Sequence, residues 1–137
     1  MNQGILNISE VEKKSLMQYA SINCESCDIT EEEIYNTLKN DVIPNYKRFL
    51  YLLRNIDPET DEVRQVHGVY VQGAEMIYGG FKIKMIGLES KNPNLIRAAK
   101  DKIDKGMVET YRWNKKIRAL AKKHKVGPKH EKWYFFW

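Results

Sequence analysis

The stretch QGAEMIYGGFKIKMIG, Gln72 to Gly87, decides the fold. Its glycines at Gly73, Gly80 and Gly87 recur seven positions apart, two turns of a helix, in a segment whose Met, Ile and Phe suit a core. FKIKM alternates apolar and polar residues, and VYV close to glycine has strand character, so a hairpin from Val66 to Leu88 competes with a helix. Periodicity separates the two. Val63, His67, Tyr70, Ala74, Ile77, Phe81, Met85 and Leu88 form one face at steps of three and four, whereas a strand would send the three glycines to alternate faces. As a helix, the segment carries a bare groove beside its apolar face, where a neighbouring backbone can approach closely, and Gly106 is the expected counterpart. Each interior glycine weakens an isolated helix by about 1 kcal/mol, so this helix must be ordered by its neighbours.

Helix starts flank it on both sides. Ser9 to Glu12 (SEVE) and Thr30 to Glu33 (TEEE) fit the capping box, in which a hydroxyl accepts from an orphan amide and a Glu three residues on reaches back. Asn92 before Pro93 is an N-cap with proline at the first helical position, where its missing N–H costs nothing. Four helices are predicted, about 9–22, 30–56, 61–89 and 93–124, in one domain covering residues 1–137. The second carries Tyr35, Leu38, Val42, Tyr46, Phe49, Leu53 and Ile56 as one stripe. The fourth carries Ile96, Ala99, Ile103, Gly106, Thr110, Trp113, Ile117 and Leu120. Pro44 lies inside the second helix, where it should remove one backbone bond and kink the rod without ending it, because the stripe resumes in register. The connections DPETD and SKNPN are short and polar, which makes successive helices antiparallel neighbours. The expected fold is all-α: an antiparallel up-down bundle of three long helices plus a short N-terminal helix, with a C-terminal aromatic tail, residues 126–137, packing on the bundle.

Composition bounds the class. With 42% hydrophobic and 30% charged residues the chain reads as a soluble globular domain, and no apolar run approaches the roughly 18 residues needed to cross a bilayer. MNQGILNISEVEKK has no basic stretch leading into an apolar core and cleavage site, so no signal peptide is read and a cytoplasmic location is expected. The net charge of +5 is unevenly placed. Tyr111 to Lys132 holds nine basic residues against Glu131 alone, a net +8, and the remainder has 14 basic against 17 acidic residues, or −3.

Cys24 and Cys27 form a lone CxxC. Redox use of that motif relies on a helix N-terminus to lower the first thiol's pKa, but the capping box starts the second helix after the pair. A zinc site recruiting His124 and His130 would have the right ligand types. The second helix, about 40 Å long, separates Cys27 from His124, which argues against it. Reduced thiols are therefore expected, with no metal and no cofactor. His67 could approach His124, but two histidines are an incomplete site. Glu31, Glu32 and Glu33 suit the positive end of a helix dipole. Glu75, the one acidic residue between Val63 and Leu88, is expected in solvent; buried, it would need Lys105 or Arg112. No Walker loop, dinucleotide fingerprint, HExxH or nucleophile elbow is present, so no catalytic residue is assigned.

Residues about 30–126 also carry IPxYxxF at Ile43 to Phe49, HxxY at His67 to Tyr70, AxxxY at Ala74 to Tyr78 and a closing LAKKHKV. In these features the chain resembles the helical-hairpin domains of small, mostly uncharacterised lipoproteins and envelope-associated proteins of Gram-positive bacteria. The resemblance implies an all-helical bundle in a bacterial protein, association with the envelope, and no catalytic residue. The chain departs from that pattern in having no lipobox before a cysteine (the context is ASINC), a basic last helix and an appended aromatic tail.

The tail, VGPKHEKWYFFW, ends in five consecutive aromatics, Trp133, Tyr134, Phe135, Phe136 and Trp137. A first helix of about 14 residues would cover only half of the groove left by three long ones, so the tail could fold back over the other half. It could equally dock on a partner, since Trp and Tyr dominate interface hot spots, or sit at a membrane surface with its lysines facing anionic lipid. The expected function is a non-enzymatic interaction or adaptor protein that meets an unidentified protein partner. Its contact residues would be Arg112, Lys115, Lys116, Lys122 and Lys123 with the aromatics of the tail. Nucleic-acid binding by the basic fourth helix is the runner-up, and a sensor holding a small apolar ligand between helices is the third reading.

Overall fold

The computed structural model describes residues 2–23, 27–58 and 60–123, without the side chains of 2–7, 9, 114, 117, 118 and 120–123. Among the described residues the molecule is all-helical, with 88% helix, no strands and four helices packed together. The elements are α1 (Asn2–Ile22), α2 (Glu31–Thr37), α3 (Ile43–Arg54), α4 (Asp61–Glu89) and α5 (Pro93–Lys123), with a π turn, Leu38–Val42, joining α2 and α3 into one rod. The hairpin alternative fails: Val66 to Leu88 lies inside α4. The tail and its proposed fold-back lie outside the described residues.

Why α4 is a helix is visible at its seam with α5. A methyl group on Gly106 would lie 2.7 Å from the Gly73 carbonyl oxygen. One on Gly80 would lie 3.1 Å from the Ala99 carbonyl, and one on Gly87 2.9 Å from Ile96 Cγ1. Contacts so short are open only to residues without a Cβ, and they bring the two backbones together along three turns. The partners descend in number along α5 as the glycines ascend along α4, so these two helices run in opposite senses.

The turn between them is built from caps. The Asn92 amide donates to the Gly87 carbonyl at 2.8 Å and the Lys91 amide to the Leu88 carbonyl at 3.3 Å, the paired bonds of a Schellman ending. Lys91 takes the left-handed conformation this requires, at φ 51°. Asn92 then caps α5 at once, its Oδ1 accepting from the amides of Asn94 at 3.1 Å and Leu95 at 3.3 Å. Thr30 and Thr60 cap α2 and α4 in the same way, accepting from Glu33 and Val63.

Two expectations need correction. The helix predicted from Ser9 begins at Asn2, so α1 has 21 residues. The reason is burial: Ile8 is 4% exposed and extends the inward face of Ser15, Tyr19 and Ile22 backwards by two turns, so the chain has no cause to leave the helix at Ser9. The premise of a half-length first helix therefore falls. The kink expected at Pro44 takes the form of the π turn. Proline offers no N–H to the Asn40 carbonyl and its ring collides with it, and the backbone widens so that the Ile43 amide reaches back to Leu38.

The core is a chain of rings through all four rods. Tyr19 of α1 packs on Phe81 of α4 at 4.8 Å, Phe81 on Tyr46 of α3 at 5.3 Å, and Tyr46 on Phe49 at 5.1 Å. Phe49 meets Tyr70 of α4 at 6.2 Å, and Tyr70 meets Trp113 of α5 at 4.2 Å.

Two glycines give opposite outcomes when lengthened. Gly106→Ala should lower stability by about 2 kcal/mol, because the atom it strikes is backbone and both helices must part. Gly68→Ala, with nothing within 4 Å, should raise it by about 0.5 to 1 kcal/mol. Urea midpoints of the two variants measure the contrast, and equal shifts would contradict the packing described.

Candidate functional site

The outer face of α5 presents the most interaction-prone surface among the described residues. Val108, Tyr111, Arg112 and Lys115 follow one another at helix spacing, opposite the buried Ile103, Gly106 and Trp113. Val108 is 49% and Tyr111 62% exposed, a large apolar load for positions facing water. The Lys115 ammonium sits 5.1 Å from the centre of the Tyr111 ring, and Arg112 pairs with Glu109 at 3.2 Å. Beside this face is a groove of ≈ 510 Å³, with Gln72 and Met76 of α4 on one wall and Asp104, Lys105, Val108, Glu109 and Arg112 of α5 on the other. Its lining mixes two acidic with two basic side chains around Met76 and Val108, and Arg112 is neutralised by Glu109.

The residues singled out from the sequence distribute unevenly. Arg112, Lys115 and Lys116 are exposed on α5. Lys122 and Lys123 belong to α5, but their side chains, like that of Arg118, lie outside the description. Trp133, Tyr134, Phe135, Phe136 and Trp137 lie outside the described residues altogether, as do His124 and His130. Gly73, Gly80, Gly87 and Gly106 are buried in the α4–α5 seam. Glu75 is exposed and paired with Arg54 of α3 at 3.5 Å, not with Lys105 or Arg112. His67 is 8% exposed, its Nε2 3.0 Å from the Leu53 carbonyl oxygen. Burial holds its pKa below the usual histidine value, against the opposing pull of that bond.

Cys27 is disulfide-bonded, against the reduced thiol expected. The chain's other cysteine, Cys24, lies outside the described residues. Among the described residues, no group of three or more His, Cys, Asp or Glu is placed to hold a metal ion. No described helix is long and apolar enough to cross a membrane.

A second cluster, unsuspected from the sequence, lies inside the bundle. Tyr70 of α4 donates a hydrogen bond to Glu12 Oε2 of α1. Tyr46 of α3 is fully buried and its hydroxyl has no hydrogen-bond partner among the described residues. Burial and the nearby Glu12 carboxyl push the Tyr46 hydroxyl well above its ordinary pKa. Glu12 is itself pushed up to about 7, because loss of water around the carboxyl outweighs the bond from Tyr70. Its signal was hidden by the capping-box reading, which makes Glu12 an exposed residue of a first turn. Once α1 starts at Asn2, Glu12 falls on the face of Ile8, Ser15 and Tyr19.

No family model, curated protein or solved structure matches the chain.

Tyr46→Phe removes a buried hydroxyl that nothing satisfies, and should raise stability by about 1 kcal/mol. Thermal and urea unfolding check this; a clear loss would mean that the hydroxyl has a partner.

Proposed function

We propose that the protein is a non-enzymatic interaction module, and that its contact surface is the outer face of α5 with the groove beside it. The observation that carries this reading is the exposed Tyr111, capped by Lys115 and flanked by Val108 and Arg112. Water-facing positions of a stable helix gain nothing by holding an aromatic ring, whereas a ring with a cation over it is a common anchor at interfaces. The partner that fits is a protein segment with acidic and apolar side chains on one face, such as an amphipathic helix laid along the groove. The charge of +8 over residues 111–132 speeds its approach and selects against basic surfaces.

The scaffold in this reading is an antiparallel up-down bundle. The opposed numbering of the α4–α5 contacts and the short connections support it, and α1 is a further long member. Lys116 is a further exposed cation of α5, and Lys122, Lys123 and the aromatics Trp133 to Trp137, whose side chains lie outside the description, are included among the proposed contact residues on the sequence alone. The Cys27 disulfide favours an oxidising compartment, because such bridges persist there, and is the observation that weights an envelope location.

Affinity capture from the protein's own cells tests the reading. The full-length chain should retain a protein partner, and the double variant Tyr111→Ala, Lys115→Glu should lose about tenfold or more of that affinity while changing stability by less than about 0.5 kcal/mol. Capture that survives the double variant removes the α5 face from consideration. Retention on duplex DNA that falls steeply with salt, with no protein captured, would move the function to nucleic-acid binding. Binding to anionic vesicles alone would move it to the membrane surface.

A further inference from the structure

We propose that the N-terminal half of α1 is held by a protonation-controlled latch: the Glu12 carboxyl, enclosed between Tyr70 of α4 and Tyr46 of α3, keeps the helix docked while it carries a proton and frees it when the proton leaves. This is independent of the α5 surface and adds a conformational control to the fold.

The geometry brings three polar groups from three helices together, with Tyr46 and Tyr70 buried and Glu12 half-buried. Tyr70 donates to Glu12 Oε2, and Tyr46 stands within electrostatic reach without a hydrogen bond. From α5 the nearest contribution is Trp113, uncharged and stacked on Tyr70. On α1 itself Ser15 turns its hydroxyl to the carbonyls of Val11 and Glu12, while Glu10, Lys13 and Lys14 are exposed. His67, one turn before Tyr70 on α4, is engaged by the Leu53 carbonyl. Among the described residues, the groups that act on the Glu12 carboxyl are thus its apolar surroundings and the Tyr70 hydroxyl, with no cation. A neutral carboxyl is tolerated there. An ionised one lacks a countercharge, and the least disruptive relief is for its own helix to swing it into water.

The attachments of α1 decide where it opens. The ring contact of Tyr19 with Phe81 and the Asn45 Nδ2 to Gln18 Oε1 bond of 2.9 Å both lie on the C-terminal side of Glu12. On the N-terminal side the described attachments are the buried Ile8 and the partly buried Val11 and Glu12, so release there is local, not global. The sign follows from linkage. The carboxyl, at its ordinary 4.5 when unfolded, rises to about 7 in the docked helix. Its stabilisation is complete below the lower value, declines between the two, and is lost above the upper one. His67 works oppositely: its lowered pKa makes its contribution fade as pH falls.

Hydrogen exchange of backbone amides in the full chain, corrected for intrinsic rates, tests this at about pH 5.5 and about pH 8. Residues 8–16 should lose protection by about tenfold more than α4 and α5 on going to the higher pH, and Glu12→Gln, uncharged at both, should show no such difference. An equal response along all helices, a response that persists in Glu12→Gln, or one abolished by His67→Gln would overturn the latch. Should Glu12→Gln not fold, carbon-13 NMR of the wild-type Glu12 carboxyl decides. Titration near neutrality in step with exchange of α1 supports the latch, whereas titration in the ordinary carboxylate range, or without a change in exchange, defeats it.

Discussion

The backbone-to-backbone contact between α4 and α5 is the constraint on which the rest of the molecule depends. Gly73, Gly80 and Gly87 on one helix and Gly106 on the other remove the side chains that would hold the rods apart. The intrinsic helix penalty of those glycines is offset by close packing over several turns, which is possible only when both partners are already helical. The seam therefore couples the two longest elements: neither has reason to be straight and ordered alone. The capped turn at Ser90 to Asn92 sets their register, since one residue more or less would turn the glycines away from each other.

On this pair rests a core that is unusually aromatic and not wholly apolar. The rings from Tyr19 to Trp113 tie each rod to the next, and three of them are tyrosines whose hydroxyls need a destination. Tyr70 finds Glu12. Tyr46 has no partner among the described residues, and its burial beside a carboxyl is a local conflict of the kind proteins keep where a switch or site requires it. The outer face of α5 shows the reverse conflict, apolar and aromatic side chains held in water. Exposed apolar side chains also occur on α1, α3 and α4, at Met17, Tyr51 and Ile86, but among the described residues α5 is where two of them, Val108 and Tyr111, lie one turn apart.

Much of the fold could be read from residue spacing, because the forces that decide it are local or periodic. The face from Val63 to Leu88 and the seven-residue recurrence of glycine identify α4 as a helix against the competing alternation of FKIKM. Asn92 with Pro93 marks the start of α5 by the chemistry of orphan amides. The readings that failed did so where a local signal was overridden by burial. SEVE has the form of a cap, but Ile8 draws the helix onward. At Pro44 the rod continues, as its stripe required, with the disturbance taken up by the π turn. Glu75 is exposed as expected, and its pairing with Arg54 of α3 is a contact that the spacing along α4 does not reveal.

What the sequence determined by itself is the helical class, the seam between the two long helices, and a basic, aromatic C-terminal third, because each follows from side-chain period, glycine spacing or charge. What only the tertiary structure decided is which polar groups are withdrawn from water, wholly for Tyr46 and Tyr70 and in part for Glu12. Glu12, Tyr46 and Tyr70 lie on three different helices and acquire their altered chemistry from one another's position. Desolvation is a property of the assembled interior, and no stretch of chain carries it in advance.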